Sequence, residues 1–177
     1  MSRLKPVDPT TATGEAKQIF DGPLKGKHFN LFKSLANSPA ALNAYLGMAG
    51  ALSKGLLSAK EQETVQLAIA QQNDCDYCLA AHTALGKGAG LSVEQTIGAR
   101  KGAIDDPKLD ALSKFALALH EKKGWVDDAD LKRIRDAGYQ DGHIAEVVAV
   151  YSLATYTNFF NHLNDTPIDF PQAPALA

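Results

Sequence analysis

The chain has 177 residues, 45% of them hydrophobic, a length that favours one domain with a core of its own. Eighteen Lys and Arg against twenty Asp and Glu leave a formal charge of -2 with no block of like charges, which argues against binding nucleic acid or an anionic membrane. No signal peptide follows the basic residues of the first segment and no apolar run approaches the ~20 residues of a membrane span, so the expectation is a cytoplasmic protein.

Helix signals run the length of the chain, and strand signals are nearly absent. Thr13 to Phe20 reads as a short capped helix and Asn30 to Ala36 as another turn or two. Ser38-Pro39 offers an N-cap followed by proline at the first helical position, opening an apolar helix that ends near Gly55. Ser58-Ala-Lys-Glu61 is a capping box whose helix runs to about Gln72. Asn73-Asp74 interrupts it, because both side chains compete for backbone hydrogen bonds and serve as caps, and a new helix begins at Cys75 and ends in Gly86 to Gly90. Ser92-Val-Glu-Gln95 is a second capping box. Asp106-Pro107 opens a helix that stops before Gly124, Asp127 caps a short one closing at Gly138, and Asp141 caps a long last one reaching about Leu163.

The expectation is an all-α bundle of seven to eight helices forming a single domain over residues 1–177. The last helix is apolar almost all round, so it must be covered on most sides, by the core or by another subunit. Trp125 reads as a core or interface anchor after Gly124. The proline-rich end, residues 165–177, reads as an extended arm.

The residues best suited to chemistry lie between Glu63 and His82. The chain's two cysteines, Cys75 and Cys78, sit three apart on the first turn of a helix, where unpaired N–H groups and aligned peptide dipoles favour an anion. Cys78 and His82 are four apart and share a face, so the imidazole can take the thiol proton. Lowering a thiol pKa from ~8.5 by about two units gains at most about tenfold in thiolate near neutral pH. Most of the rate in such a site therefore comes from positioning the reactant and protonating the leaving group.

Glu63 precedes Cys75 by twelve residues, which one straight helix would convert into ~18 Å. A reversal at Asn73-Asp74 would instead lay the second helix along the first and return His82 to Glu63, whose carboxylate could orient the ring and accept its proton. Two other readings of the cysteines stand at this point. They could pack as small hydrophobes, or join His82 as three donors to zinc, one short of a structural site. Haem attachment needs histidine where Leu79 stands, and a thioredoxin fold needs a strand that Thr64 to Gln72 lacks. Tyr77 packs at the mouth of the site and is a candidate substrate contact. Glu146 and His162 repeat the order of glutamate and histidine without cysteines and read as structural.

The order of Glu63, Cys75, Cys78 and His82, within a core of residues 61–90, resembles the motif of the alkylhydroperoxidase D-like (AhpD-like) proteins of the carboxymuconolactone decarboxylase superfamily. The Asn158-Phe-Phe-Asn-His162 stretch before Asp165 and Ile168-Asp169 is similar to the peroxidase-related branch. The resemblance implies an all-helical subunit that assembles into a trimer or hexamer and reduces hydroperoxides with no metal and no other cofactor. It implies that Cys78 attacks the terminal peroxide oxygen, that Cys75 condenses with the resulting sulfenic acid to a disulfide, and that Glu63 and His82 relay protons. An external dithiol, on a lipoyl adaptor or a thioredoxin-like protein, would then reduce the bridge. Well-studied relatives carry a second histidine where this chain has Tyr77. Two alternatives remain beside this reading: a lactone decarboxylase of the same superfamily, and a non-enzymatic redox sensor whose cysteine pair switches an assembly.

Overall fold

The computed structural model describes residues 2–176, and among them the chain forms nine α-helices and no strand. They are α1 (Gly14–Asp21), α2 (Asn30–Leu35), α3 (Pro39–Leu52), α4 (Ala59–Gln72), α5 (Asp76–Gly88), α6 (Val93–Lys101), α7 (Pro107–Glu121), α8 (Asp128–Asp136) and α9 (Asp141–Asn164). Every segment read as helical in the sequence forms one, so the number is above the expected seven to eight. α2 owes its start to a distant residue: the carboxylate of Asp169 accepts the Asn30 N–H at 2.7 Å, a partner no local pattern reveals.

Side chains of Ser38, Ser58, Ser92, Asp106 and Asp127 accept backbone N–H groups at the starts of their helices, as the sequence predicts. Three starts differ from expectation. Thr13 stands at the N-cap of α1 without a side-chain hydrogen bond to the helix. The residue preceding α9 as N-cap is Gln140 rather than Asp141, because His143 Nδ1 reaches back to accept the Gln140 N–H at 3.2 Å. The N-cap of α5 is Cys75 rather than Asn73 or Asp74, for a reason that belongs to the site below.

Helix α4 packs against α5, α6, α7 and α9, so it is surrounded. Its Val65, Leu67, Ala68, Ile69 and Ala70 are all fully buried. Leu67 joins α6 and α7 residues around Leu91, Val65 and Ile69 join the inner faces of α7 and α9, and Ala70 joins the α1–α3 layer around the cysteines. Each large apolar side chain buried this way contributes about 1.5–3 kcal/mol. The catalytically suggestive Glu63 therefore rides on the most constrained element of the fold.

Helix α9 is less covered than its composition predicts. Val147, Val150, Leu153 and Ala154 are buried, but Val148, Phe159 and Leu163 on the other side are 45%, 58% and 58% exposed. Trp125 is no core anchor: it is 87% exposed, because the chain leaves α7 through Lys123 and Gly124, both at positive φ, and carries the indole into solvent. After α9 the arm runs back across the bundle. Phe170 packs on Phe29 and Tyr77, with ring centroids 4.7 and 5.7 Å apart, and the Pro174 carbonyl accepts from Arg100 at 2.6 Å. Among the described residues no helix is long and apolar enough to cross a membrane.

Candidate active site

The site is built on the turn between α4 and α5. Asp74 takes a left-handed conformation, φ 52°, which Asp and Asn tolerate better than other side chains, and the Cys75 N–H then bonds back to the Ala70 carbonyl at 2.9 Å. That closes α4 and leaves Cys75 extended, in the N-cap position, with its sulfur accepting the Cys78 N–H at 3.3 Å. Asn73 is pinned from outside: its Nδ2 donates to Asn158 Oδ1 of α9 at 2.9 Å. α5 then returns along α4. At Gly86 a Cβ would stand 2.9 Å from a Leu91 methyl and 3.5 Å from Glu63 Cβ, so the missing side chain permits this close approach.

The reversal brings His82 Nδ1 to 2.8 Å from Glu63 Oε2, with the two side chains only 15% and 17% exposed. An ionised carboxylate can only accept, so Nδ1 carries the hydrogen and Nε2 is the nitrogen left to take up a proton. Cys75 and Cys78 are joined as a disulfide with Cα atoms 5.2 Å apart, and both residues are almost fully buried. Glu63, Cys75, Cys78 and His82 thus meet in one place. Among the described residues, no group of three or more His, Cys, Asp and Glu is arranged to hold a metal ion.

Asn161 belongs to the Asn158-to-His162 stretch that carries the resemblance, but the sequence reading gave it no part at this centre. Asn161 Nδ2 donates to Cys78 Sγ at 3.3 Å, and Asn158, Asn161 and Asn164 are all buried, three apart along α9. The hydrophobic pattern of α9 hides them, although asparagines at helical spacing inside an apolar helix are themselves a signal, since buried amides need partners.

Two hollows meet at the disulfide. Cys78, His82, Gln66 and Asn161 border a cavity of about 350 Å³ walled by the rings of Phe29, Phe32, Tyr45, Tyr77 and Phe170. Cys75 instead borders a groove of about 490 Å³, together with Asp74, Asp76, His162 and Thr166. Tyr77 and Asn161 stand between the two.

Tyr77 is placed where a substrate contact was expected, but its hydroxyl is engaged elsewhere: it donates to Asp169 at 2.8 Å and accepts the Leu31 N–H at 3.4 Å. Burial first, and then the Asp169 carboxylate, push its phenol well above the ordinary range. Burial, reinforced by the Glu63 charge, pushes Tyr45 up to about 12. Both rings are neutral walls at physiological pH. Glu146 is structural, as expected: its carboxylate accepts the Leu56 and Leu57 N–H groups at 2.8 Å, and a Cβ at Gly55 would lie 2.6 Å from it.

Residues 39–122 match the Carboxymuconolactone decarboxylase family. Glu63, Cys75, Cys78 and His82 all lie within the matched stretch. The fold of the chain is similar to that of a peroxidase-related protein with an alkylhydroperoxidase AhpD core from Ralstonia eutropha JMP134, at TM-score 0.83 and 22% identity, covering 95% of this chain and 92% of that one. A peroxidase-related protein from Silicibacter sp. TM1040 superimposes at TM-score 0.77 and 22% identity over 94% of each chain. The debrominase Bmp8, in complex with 2,3,4-tribromopyrrole, does so at TM-score 0.76 and 14% identity over 96% of this chain and 92% of that one. At these identities the AhpD-like likeness is one of fold. A search of curated protein sequences returns no match.

Proposed function

We propose that this protein is a thiol-dependent peroxidase that reduces organic hydroperoxides through a Cys75–Cys78 disulfide cycle. The observation that carries the reading is that Cys78 and His82 border one cavity while Glu63 holds His82 from behind at 2.8 Å. In the reduced protein Cys78 passes its proton to His82, and Glu63 stabilises the imidazolium. The thiolate attacks the hydroxyl oxygen of the hydroperoxide and the O–O bond breaks. The alkoxide leaves with the proton from His82, giving an alcohol and a Cys78 sulfenic acid. The Cys75 thiol then displaces that hydroxyl as water, forming the disulfide.

An external dithiol resets the pair in a reducing compartment. Because Cys75 borders the open groove and Cys78 the cavity, the reductant approaches from the groove. Its thiolate attacks the Cys75 sulfur and expels the Cys78 thiolate, which the Asn161 amide stabilises, and its second thiol then displaces Cys75. The exposed Val148, Phe159 and Leu163 stripe supports self-association of the subunit. Sedimentation velocity of a Phe159→Glu, Leu163→Glu double variant would then report a smaller species than the parent protein.

The decisive experiment follows cumene hydroperoxide consumption with a dithiol present. Cys78→Ser abolishes turnover, and one equivalent of hydroperoxide removes both thiols of the reduced protein; retained turnover or unchanged thiols would overturn the assignment. A second reading has the Cys78 thiolate take the halogen from a halogenated ring, the C–X bond breaking as a proton takes the halogen's place on carbon, after which the Cys75 thiol displaces halide from Cys78 and forms the disulfide; the aromatic cavity wall favours it, and halide release from 2,3,4-tribromopyrrole would establish it. Decarboxylation of carboxymuconolactone by the Cys78→Ser variant would point instead to the lactone reaction named by the matching family.

A further inference from the structure

Several polar side chains on the cavity wall are already engaged. Tyr77 donates to Asp169, Thr157 donates to the carbonyls of Leu153 and Ala154, and Asn161 Nδ2 donates to Cys78 Sγ. Two donors remain. Among the described residues the Tyr45 hydroxyl has no hydrogen-bond partner, and it stays open to the cavity it borders. Gln66 is only 7% exposed and its Oε1 is sealed inside the wall, so Nε2 is the end of the amide left to the cavity, and it too has no partner among the described residues. Tyr45 comes from α3. Gln66 lies on α4 three residues beyond Glu63, on the helix face that carries the carboxylate holding His82. The Glu63 charge bears on the Tyr45 phenol, and that phenol bears on Tyr77, which sets the hydroxyl on the inner side of its ring. Burial keeps the phenol protonated, pushed up to about 12, so it donates a hydrogen bond and does not act as a base.

We infer that Tyr45 and Gln66 are catalytic donors to the departing oxygen: the phenolic O–H and the amide N–H hydrogen-bond to the carbon-bearing oxygen of the hydroperoxide as its O–O bond breaks. This inference rests on the peroxidase reading and adds two residues to its chemistry. As Cys78 sulfur bonds to the hydroxyl oxygen, the electron pair of the O–O bond moves to the carbon-bearing oxygen, which carries a negative charge until His82 gives it a proton. That charge develops against an apolar, largely aromatic wall. Donors already fixed there stabilise it more than water would, because they need not reorganise. Both donors keep their hydrogens throughout, and His82 supplies the proton that ends on the alcohol. An alkoxide is a strong base and a poor leaving group, so it gains most from such donors; a carboxylate, with its charge spread over two oxygens, gains little.

The cavity sets the probes. An apolar cavity of ~150 Å³ admits benzene, so one of about 350 Å³ holds a ring with short substituents. Binding is read first, without turnover. Acetophenone and α-methylstyrene have the same shape, but only the first carries an acceptor oxygen; both are titrated into the oxidised protein by ligand-observed NMR. The ratio of their affinities falls about three- to tenfold in Tyr45→Phe and in Gln66→Met, the range of one buried hydrogen bond, and comparing variants with wild type cancels the different hydration of the two probes. Reaction is read second, in single-turnover oxidation of the reduced protein. Each variant slows oxidation by cumene hydroperoxide, which releases an alkoxide, about ten- to a hundredfold, the range of a hydrogen bond to a charged group. Oxidation by peroxybenzoic acid, which releases benzoate, slows about threefold or less. A merely structural role would slow both oxidants alike. Equal slowing, or an affinity ratio unchanged in either variant, overturns the inference even if peroxides are turned over. A fall in the ratio in a protein that consumes no peroxide would sustain the pair as donors to a bound oxygen and overturn the peroxidase reading.

Discussion

Replacing Glu63 by glutamine isolates the contribution of charge behind His82. The glutamine carbonyl can still accept from Nδ1, so the tautomer and ring position survive, and only the negative charge 2.8 Å from the ring is removed. Both side chains are mostly shielded, at 15% and 17% exposure, so screening by water weakens the pair only modestly. A charge-assisted hydrogen bond of this kind contributes about 1.5–3 kcal/mol. In the proposed relay the whole of it bears on the reaction, because the imidazolium exists only after Cys78 has surrendered its proton. Glu63→Gln therefore lowers kcat/KM for cumene hydroperoxide about ten- to a hundredfold. The assay is stopped-flow consumption of hydroperoxide by pre-reduced protein across pH. A rise in pH restores part of the lost rate, because the thiol then ionises without help from His82. A variant within about twofold of wild type at neutral pH would show that the Glu63 charge is irrelevant to proton transfer and would refute the relay.

Glu61 gives a pH prediction remote from the chemistry. Burial alone would raise its carboxyl, but hydrogen bonds from Ser58, Lys108 and Tyr139 outweigh that and hold it at about 2. A depressed carboxyl stabilises the fold above its unfolded value and loses that contribution as pH falls toward about 2, so Glu61→Gln costs on the order of 1–2 kcal/mol at pH 7 after screening, and its denaturant midpoint drifts less between pH 5 and about 2 than that of wild type. Tyr77→Phe removes the hydroxyl that ties α5 to Asp169 of the arm, lowering stability by about 1 kcal/mol and speeding proteolysis of the C-terminal arm, with little change in kcat; equal protease sensitivity of the two proteins would contradict the anchoring role.

The parts legible in the sequence are those whose cause is local. Ser58 and Ser92 announce helix starts because the cap and its reciprocal partner lie within one turn. The Glu63, Cys75, Cys78 and His82 quartet is legible because a single reversal at Asn73-Asp74 sets its geometry. Asn161 is 83 positions from the sulfur it contacts, Asp169 is 92 from Tyr77 and 139 from Asn30, and no local spacing names the partner in any of these contacts. The same distance explains Trp125 and the outer face of α9: composition says that a residue is apolar, but only the packing of other elements decides whether anything covers it.

The resemblance sets Tyr77 where well-studied relatives carry a second histidine, and its surroundings say what that exchange would do to the proposed chemistry. The phenol is bound to Asp169 and raised far above neutrality, chiefly by burial, so it cannot exchange protons with Cys78 in the working range. Tyr45, the other phenol on the cavity wall, is pushed up to about 12 and is equally silent. In the proposed cycle Cys78 is thereby left with His82, backed by Glu63, as its partner for proton transfer across the cavity. Position 77 serves architecture here, fastening the arm whose Phe170 completes the aromatic wall. A cavity closed in this way gains an apolar lining at the expense of a second proton carrier.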